Sequence, residues 1–287
     1  MGGSIEALIR NIPNDYSYKR GYLDQNASDV EILFLGSSHA YRDINPIYID
    51  ANSFNAAYVS QSLYYDYRIL EKYNDNWARL KYIVIPVSYF SLFYKLEDSP
   101  ESWRIKNYSI YYYIRTTYHI ADYSELLSNK LNINLERIFA YYSAGQTNIT
   151  SSNLGWGAKD KPTIKFDFAE KGEEAAQRHT VANDVFFDEN VNVLRSIISF
   201  AEAHDAQIIF YTPPAFKTYV ENLNERQLSR TILTMTELDN AYPNVIYMNF
   251  LTSDLFGQSD FYDADHLNEI GARKFTLEIG KLIDAQP

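Results

Sequence analysis

VEILFLGSSH, residues 30–39, is a short apolar run that ends in a glycine, two serines and a histidine. Six mostly apolar residues bounded by a turn residue predict a buried β-strand. A strand that is apolar almost throughout is typical of a parallel sheet covered on both faces. The stretch therefore indicates an α/β fold whose first strand leads directly into polar residues.

Similar apolar runs alternate with helical patterns along the chain. They predict strands at residues 53–58, 82–87, 207–211 and 244–250, and helices at residues 62–77, 189–204, 219–242 and 268–283. This alternation favours a three-layer α/β/α fold with a five-stranded, mostly parallel sheet. In such sheets functional sites gather at the carboxyl ends of the strands.

Residues 95–185 interrupt the alternation of strands and helices. They contain a tyrosine-rich helical stretch at 108–123, a second helix at 131–142 and a polar loop at 143–157. We therefore expect a single domain over residues 1–287, with this segment as a helical insertion or cap between the third and fourth strands.

Composition excludes several classes of function. The net charge of -11 disfavours nucleic-acid binding, because phosphate contacts need a basic face. The chain has no cysteine, which excludes thiolate nucleophiles and cysteine-ligated zinc. No apolar run reaches the roughly 18 residues of a membrane span. The opening Met1-Gly2-Gly3-Ser4 is typical of an added linker, and we expect a membrane anchor in the natural protein.

Gly36 allows a sharp turn after the first strand, and Ser38 would then begin the next helix. Backbone N–H groups at a helix N-terminus can bind a developing oxyanion, so a serine there is a candidate nucleophile. A glycine-serine turn of this kind can also be a simple helix cap.

DADHLN, residues 263–268, lies between the last strand and the last helix. In a tight turn, Asp263 can hold one imidazole nitrogen of His266 and leave the other free as a base. Two alternatives are helix capping by Asp265 or Asn268 and a metal site, although no third or fourth metal ligand is evident.

The two segments together predict a catalytic triad. Both follow strands of the same predicted sheet, at the edge where sites gather. We therefore predict Ser38 as the nucleophile, His266 as the base and Asp263 as the orienting acid. Such chemistry needs no metal and no organic cofactor.

FLGSSH, residues 34–39, resembles the first conserved block of the SGNH/GDSL hydrolase superfamily, and DADH, residues 263–266, resembles its last block. The resemblance implies a flavodoxin-like sheet, and it implies that Ser38 rather than Ser37 is the nucleophile.

A narrower resemblance concerns the polysaccharide O-acetyltransferases of the cell envelope, which include alginate O-acetylation proteins and teichoic acid D-alanyl-transfer proteins. It is carried by GSSH at residues 36–39, Arg42, residues 45–46, residues 266–268 and Gly271. It implies an extracytoplasmic, membrane-anchored enzyme with a polysaccharide acceptor. The implied partner is a membrane-bound O-acyltransferase that supplies acetyl groups.

NAAYVSQS, residues 55–62, resembles the second block, although Ser60 stands where the family usually has glycine. A backbone N–H survives that change. We expect the N–H groups of Ser38 and Ser60 to form the oxyanion hole. PVSYF, residues 86–90, lacks the asparagine of the third block; Ser88 or Tyr89 could substitute for it, or the oxyanion hole could have only backbone donors.

Further residues are candidates for substrate binding. His39 and Arg42 lie next to the predicted nucleophile, Tyr89 stands in the altered third block, and Trp156 lies in a polar loop where an indole could stack on a sugar. His179, in the insertion, could also reach the cleft. Packing, capping or surface ion pairing are the alternatives for each.

The sequence thus predicts a serine-dependent O-acetyltransferase acting on an exopolysaccharide or cell-wall glycan. A carbohydrate acetyl esterase of the same fold is the nearest alternative. The missing third-block asparagine and the tyrosine-rich insertion also leave open a glycan-binding module that has lost catalysis.

Overall fold

A computed structural model describes residues 2–157 and 168–286 of the chain. It divides into two compact units. The sheet unit comprises Ala27–Lys95 and Ser152–Pro287, and the helical unit comprises Met1–Asn26 and Leu96–Ser151. The helical unit therefore takes only part of the segment expected as an insertion and adds the start of the chain. The assignment of one domain to the whole chain stays a prediction.

The sheet unit is built on five parallel strands in the order β2-β1-β3-β4-β5. The strands are β1 (Ile32–Phe34), β2 (Ser53–Asn55), β3 (Tyr82–Pro86), β4 (Gln207–Thr212) and β5 (Val245–Asn249). In the register, Ile32 lies opposite both Ser53 and Tyr82. The five-stranded sheet expected from the sequence is confirmed, and all of its described strand pairs are parallel.

Helices flank this sheet and fill the helical unit. They are α1 (Gly2–Arg10), α2 (Asp15–Asn26), α3 (Ser38–Tyr41), α4 (Leu63–Lys72), α5 (Ile105–Asn107), α6 (Leu131–Ala144), α7 (Phe168–His179), α8 (Phe187–Ala203), α9 (Lys217–Val220), α10 (Glu225–Ala241) and α11 (Glu269–Asp284). No helix in the described part of the chain is both long and apolar enough to cross a membrane.

Alternation of side chains along the strands gives the sheet two apolar faces. One face packs on α11, in a core that contains Ile32, Phe34, Val84, Ile209, Tyr211, Phe275, Ile279 and Ile283. The alternate residues of the strands are also fully buried, among them Leu33, Ile83, Ile208 and Phe210. On the other side, α8 contacts both β4 and α4. The predicted three-layer α/β/α fold is confirmed.

Several helical regions differ from the sequence expectation, which did not include α1 or α7. The helix predicted at 108–123 stops after a π-helical turn at Tyr108–Tyr112, because Tyr113 takes a left-handed φ of 60°. The helix predicted at 219–242 is split into α9 and α10, and Asn224 caps α10 by accepting from the Gln227 N–H. The second helix, α2, was not predicted, since one of its few buried residues is Lys19, which obscures an apolar stripe.

A buried carboxylate organises the helical unit. Glu125 accepts a hydrogen bond from the Tyr111 hydroxyl at 2.7 Å and pairs with Arg137 at 2.9 Å and Lys106 at 3.3 Å. Burial alone would raise the pKa of Glu125, but the two cations and the hydrogen bonds outweigh it and lower the pKa. Glu125 therefore favours its ionised form inside this unit.

Asp66, on α4, is a buried carboxyl of the sheet unit whose ionisation should make the stability of the fold depend on pH. Its Oδ1 accepts from the Gly36 N–H at 2.7 Å and from the Gln61 amide at 2.5 Å. Burial disfavours the charged form more than these bonds favour it, and it raises the pKa of Asp66 to about 7. In the unfolded chain the same carboxyl ionises at about pH 4. The folded state thus binds more protons between these values, and stability falls as pH rises through that window.

Asp66→Asn keeps the acceptor oxygen and removes the buried charge. We expect it to raise the free energy of unfolding at pH 8 by about 1–3 kcal/mol and to change it little at pH 4. Urea denaturation at both pH values measures this difference. Asp75→Asn, at an exposed position, is the control and should leave the pH dependence unchanged. Equal pH dependence in wild type and Asp66→Asn would contradict the assignment of a buried charge.

Candidate active site

The turn after β1 presents Ser38 at the carboxyl edge of the sheet. Gly36 has a φ of 114°, a left-handed conformation that favours glycine. Ser37 is the cap residue of α3, and the half-buried Ser38 is its first residue. A side chain at Gly36 would also collide with the neighbouring strand, because its Cβ would lie 2.4 Å from Cδ of Pro86.

Gly36→Ala tests this turn directly. The clash and the left-handed φ should together cost about 2–4 kcal/mol of unfolding free energy, and the displaced Ser38 should lose activity. Chemical denaturation measures the stability change. Gly257→Ala is a matched control, since a Cβ there would meet nothing within 4 Å and its φ is -101°. Equal stability of the two variants would show that the turn does not need glycine.

His266 links Ser38 to a carboxylate. Its Nε2 lies 2.7 Å from Ser38 Oγ, and its Nδ1 lies 3.0 Å and 3.1 Å from the two oxygens of Asp263. The Asp263 carboxylate also accepts the backbone N–H of His266 at 2.8 Å. Because Asp263 holds Nδ1, the proton sits on that nitrogen and Nε2 can accept the proton of the serine hydroxyl.

The charges around His266 favour its protonated form. Burial alone would lower its pKa, but the nearby carboxylates of Asp263 and Asp265 outweigh burial and raise the pKa to about 9. The Arg42 cation lowers the pKa of His266, by a smaller amount than the carboxylates raise it. An imidazole this basic is a strong proton acceptor once it is deprotonated.

The turn that carries His266 is anchored to the segment that follows α3. Asp43, which is fully buried, accepts the backbone N–H of Leu267 at 3.0 Å. Asn268 caps α11 by accepting from the N–H groups of Ile270 and Gly271. Capping thus falls to Asn268 and leaves Asp265 for another role. Asp43 could not be predicted as a site residue, because a single aspartate after a short helix has no recognisable pattern.

Two backbone N–H groups are available for an oxyanion. Within residues 2–157 and 168–286, neither the Ser38 nor the Ser60 N–H has a hydrogen-bond partner. Ser60 has a φ of 61°, the left-handed conformation that favours glycine. The second block lies beside the turn that carries the predicted nucleophile, since the Tyr58 N–H donates to the Gly36 carbonyl at 3.1 Å.

The third-block residues are engaged elsewhere. The Ser88 N–H donates to Ser91 Oγ at 2.9 Å, and Ser88 Oγ bonds to His39 Nδ1 at 2.8 Å. The buried Tyr89 hydroxyl bonds to Thr180 Oγ1 and accepts the Asn224 N–H, each at 2.9 Å. In this state Ser88 has no free N–H for an oxyanion, and Tyr89 supports the structure behind the site.

Two other predicted substrate residues lie together beside α3. Arg42 is half-buried, with its guanidinium 5.8 Å from the centre of the Tyr262 ring. Trp156 is also half-buried, and its indole N–H donates to the Arg42 carbonyl at 2.5 Å. The loop of Trp156 thus packs against the segment that follows the nucleophile. Their role in binding substrate stays a prediction.

Two further histidines approach His266 from other segments. The His39 ring stacks on the His266 ring with centroids 4.8 Å apart, and His179 Nδ1 lies 3.9 Å from Asp265 Oδ2. Burial lowers the pKa of His39, and it lowers that of His179 to about 4. Both rings are therefore neutral near pH 7.

Among the described residues, one group has ligand atoms close enough for a metal ion. It consists of His39, Asp265 and His266, whose ligand atoms lie within 4.8 Å of one another. Both nitrogens of His266 are already used, by Ser38 and by Asp263. The arrangement therefore fits acid–base chemistry better than metal binding.

No protein-family model matches the chain, and no curated protein matches its sequence. Among solved structures, it is similar to a candidate acylhydrolase from Bacteroides fragilis NCTC 9343, at 12% identity and a TM-score of 0.44, covering 92% of this chain and 94% of that one. A candidate platelet activating factor from Streptococcus pneumonia matches at 12% identity and a TM-score of 0.47, covering 98% and 94%. A GDSL-like lipase from Bacteroides thetaiotaomicron VPI-5482 matches at 11% identity and a TM-score of 0.45, covering 94% and 98%. At these identities the likeness concerns the fold alone.

Proposed function

We propose that the protein is a serine-dependent O-acyltransferase of the SGNH/GDSL type that moves acetyl groups onto a polysaccharide. The observation behind this proposal is the hydrogen-bonded series of Ser38 Oγ, His266 and Asp263, with 2.7 Å between the serine oxygen and Nε2. The three residues come from two segments far apart in sequence. Contacts at hydrogen-bond distance in this order are the arrangement that activates a serine.

In the first half-reaction, His266 Nε2 takes the Ser38 hydroxyl proton while Oγ attacks the carbonyl carbon of an acetyl ester. The N–H groups of Ser38 and Ser60 stabilise the negative oxygen of the tetrahedral intermediate. The bond from the carbonyl carbon to the donor oxygen then breaks. That oxygen receives the proton from His266, and acetyl-Ser38 remains.

In the second half-reaction, a sugar hydroxyl replaces the departed donor alcohol. His266 takes its proton, and the sugar oxygen attacks the acetyl carbonyl. The bond to Ser38 Oγ breaks, and the serine recovers a proton from His266. Asp263 keeps the imidazole in the productive tautomer throughout.

The raised pKa of His266 sets the direction of the pH dependence. At neutral pH most of the imidazole is protonated and cannot accept the serine proton. The acylation rate should therefore rise with pH until about 9, where His266 loses its proton.

The choice of transfer over hydrolysis comes from the resemblance to envelope O-acetyltransferases. GSSH with Arg42 and the final His-Leu-Asn are the residues that support it. An extracytoplasmic location, a membrane anchor and a membrane-bound acetyl donor partner belong to the same proposal. The acetyl esterase remains the second candidate, because the triad geometry serves water as well as a sugar.

An acetyl-ester assay with and without acetyl-free oligosaccharides tests the assignment. For a transferase we expect the acceptor to increase ester turnover and to appear acetylated by mass spectrometry. Rapid hydrolysis that no acceptor changes would instead indicate the esterase. Glycan binding without reaction of Ser38 with a fluorophosphonate would indicate a binding module.

A further inference from the structure

We propose that Asp265 is a positioning residue of this site, a second carboxylate that stabilises the His266 imidazolium and is itself enclosed by His39 and His179. This inference rests on the proposed function, because it assigns Asp265 a role in proton transfer to His266. From the sequence, Asp265 was a candidate only for capping the last helix.

Asp265 lies at the centre of three imidazoles. Its Oδ1 is 3.6 Å from His266 Nδ1, and its Oδ2 is 3.7 Å from His39 Nε2 and 3.9 Å from His179 Nδ1. These distances exceed those of hydrogen bonds, and among the described residues Oδ2 has no hydrogen-bond partner. A buried carboxylate without direct donors is costly unless positive charge lies nearby. The imidazolium of His266 supplies such a positive charge.

The two carboxylates beside His266 differ in their contact with water. The side chain of Asp263 is 22% exposed and bonds directly to Nδ1, whereas that of Asp265 is 4% exposed. A charge screened less by water acts more strongly at a given distance. Asp263 therefore fixes the orientation of the ring, and Asp265 adds an electrostatic contribution that grows when the ring becomes charged.

His39 lies against both Asp265 and the His266 ring, and Ser88 orients His39. His39 Nδ1 bonds to Ser88 Oγ, and its carbonyl accepts the buried Tyr211 hydroxyl at 3.0 Å. If the Ser88 hydroxyl donates to Nδ1, Nε2 carries the hydrogen and directs it toward Asp265. The stacked His39 ring covers one face of His266. This assignment gives Ser88 and His39 a supporting role behind the triad.

His179 completes the enclosure from α7. Its Nδ1 bonds to the Tyr219 hydroxyl at 2.9 Å, and its ring packs on Phe90 with centroids 4.4 Å apart. Burial keeps both His39 and His179 in their neutral forms. Asp265 is consequently left with one titratable partner that can carry a full positive charge, His266.

The charged and titratable groups that face His266 come from three segments. Asp263 and Asp265 share its loop, His39, Arg42 and Asp43 follow β1, and His179 comes from α7. Burial raises the pKa of Asp43 well above its ordinary value, which favours its neutral form. Arg42 repels the imidazolium. The electrostatic attraction on the His266 imidazolium thus comes from Asp263 and Asp265.

Asp265→Asn removes this charge and nearly conserves shape. The chain has five histidines, few enough for each to be followed by NMR of histidine-labelled protein. We expect the titration midpoint of His266 to fall by about one pH unit or more. The rise of acyl transfer with pH should move down by the same amount. The alkaline kcat should fall about tenfold with little change in KM.

Asp254→Asn, at an exposed position, is the control and should leave the His266 midpoint unchanged. An unchanged midpoint in folded Asp265→Asn would overturn the inference. If that variant does not fold, the wild-type titration still decides, since a midpoint at or below the ordinary 6.5 would also overturn it. The NMR readout needs no activity. A lowered midpoint in an inactive protein would support this role of Asp265 while the proposed function failed.

Discussion

Replacing Ser38 with alanine should lower kcat/KM for acetyl esters by about 10⁴–10⁶-fold, because the proposed mechanism carries the acetyl group on Ser38 Oγ. The fold should be unaffected. Ser38 is half-buried, and its backbone carbonyl, which accepts the Arg42 N–H at 2.9 Å, is retained. Ester turnover and labelling by a fluorophosphonate measure the loss, and thermal unfolding verifies the fold.

Ser37→Ala is the matched control for this prediction. Ser37 precedes Ser38 in the same turn, is buried, and its Oγ has no hydrogen-bond partner among the described residues. Its carbonyl, which accepts the Ala40 and Tyr41 N–H groups, would be unchanged. We expect this variant to keep most activity. Loss of activity in Ser37→Ala with activity retained in Ser38→Ala would show that Ser37, and not Ser38, is the nucleophile.

Replacing His266 with alanine should be about as damaging as replacing Ser38, since an unassisted serine hydroxyl is a poor nucleophile. The double variant Ser38→Ala/His266→Ala should be no slower than either single variant, because residues that act as a unit show strongly non-additive losses. Steady-state kinetics of the three variants measure this coupling.

His119→Ala serves as the histidine control, because His119 is exposed and belongs to the helical unit. Wild-type rates are expected for it. Additive losses in the double variant would mean that Ser38 and His266 act independently. Full activity in His266→Ala would remove the general base from the proposed mechanism.

The sheet and the nucleophile turn could be predicted because their signals are local. Residues 30–39 combine an apolar strand, a glycine and a serine pair, and β1 with the φ of 114° at Gly36 follows that order. The pairing of Ser38 with residues 263–266 could also be anticipated. Both segments follow strands of one parallel sheet, so topology brings them to one edge.

His39 and His179 were candidates for the cleft, but their contacts with Asp265 beside His266 could not be predicted, because these side chains come together only in the folded chain. His39, His179 and Asp265 lie in three separate segments with no common spacing. Asp66 is similar, since its partner is the Gly36 backbone 30 positions earlier. Side chains that meet through tertiary packing leave no periodic trace in the sequence.

The helical unit was anticipated least well, for a conformational reason. The tyrosine-rich stretch at 108–112 has a helical pattern, and the chain does form a π-helical turn there. Nothing in the sequence marks Tyr113 as the residue that turns left-handed and ends the helix, because tyrosine, unlike glycine, has no preference for that conformation. The helix α2 was missed for a different reason, since Lys19 is buried at a position where an apolar residue is expected.

Detection of the acyl-enzyme tests the central claim most directly. The protein is mixed with an activated acetyl ester, quenched in acid within the first turnover and digested, and the peptide that contains Ser38 is analysed by mass spectrometry. The proposed mechanism predicts that one acetyl group is found on Ser38, that it disappears when an acceptor is added before the quench, and that it is absent in Ser38→Ala. Ester turnover with no acetyl on Ser38, or with acetyl on another residue, would contradict it.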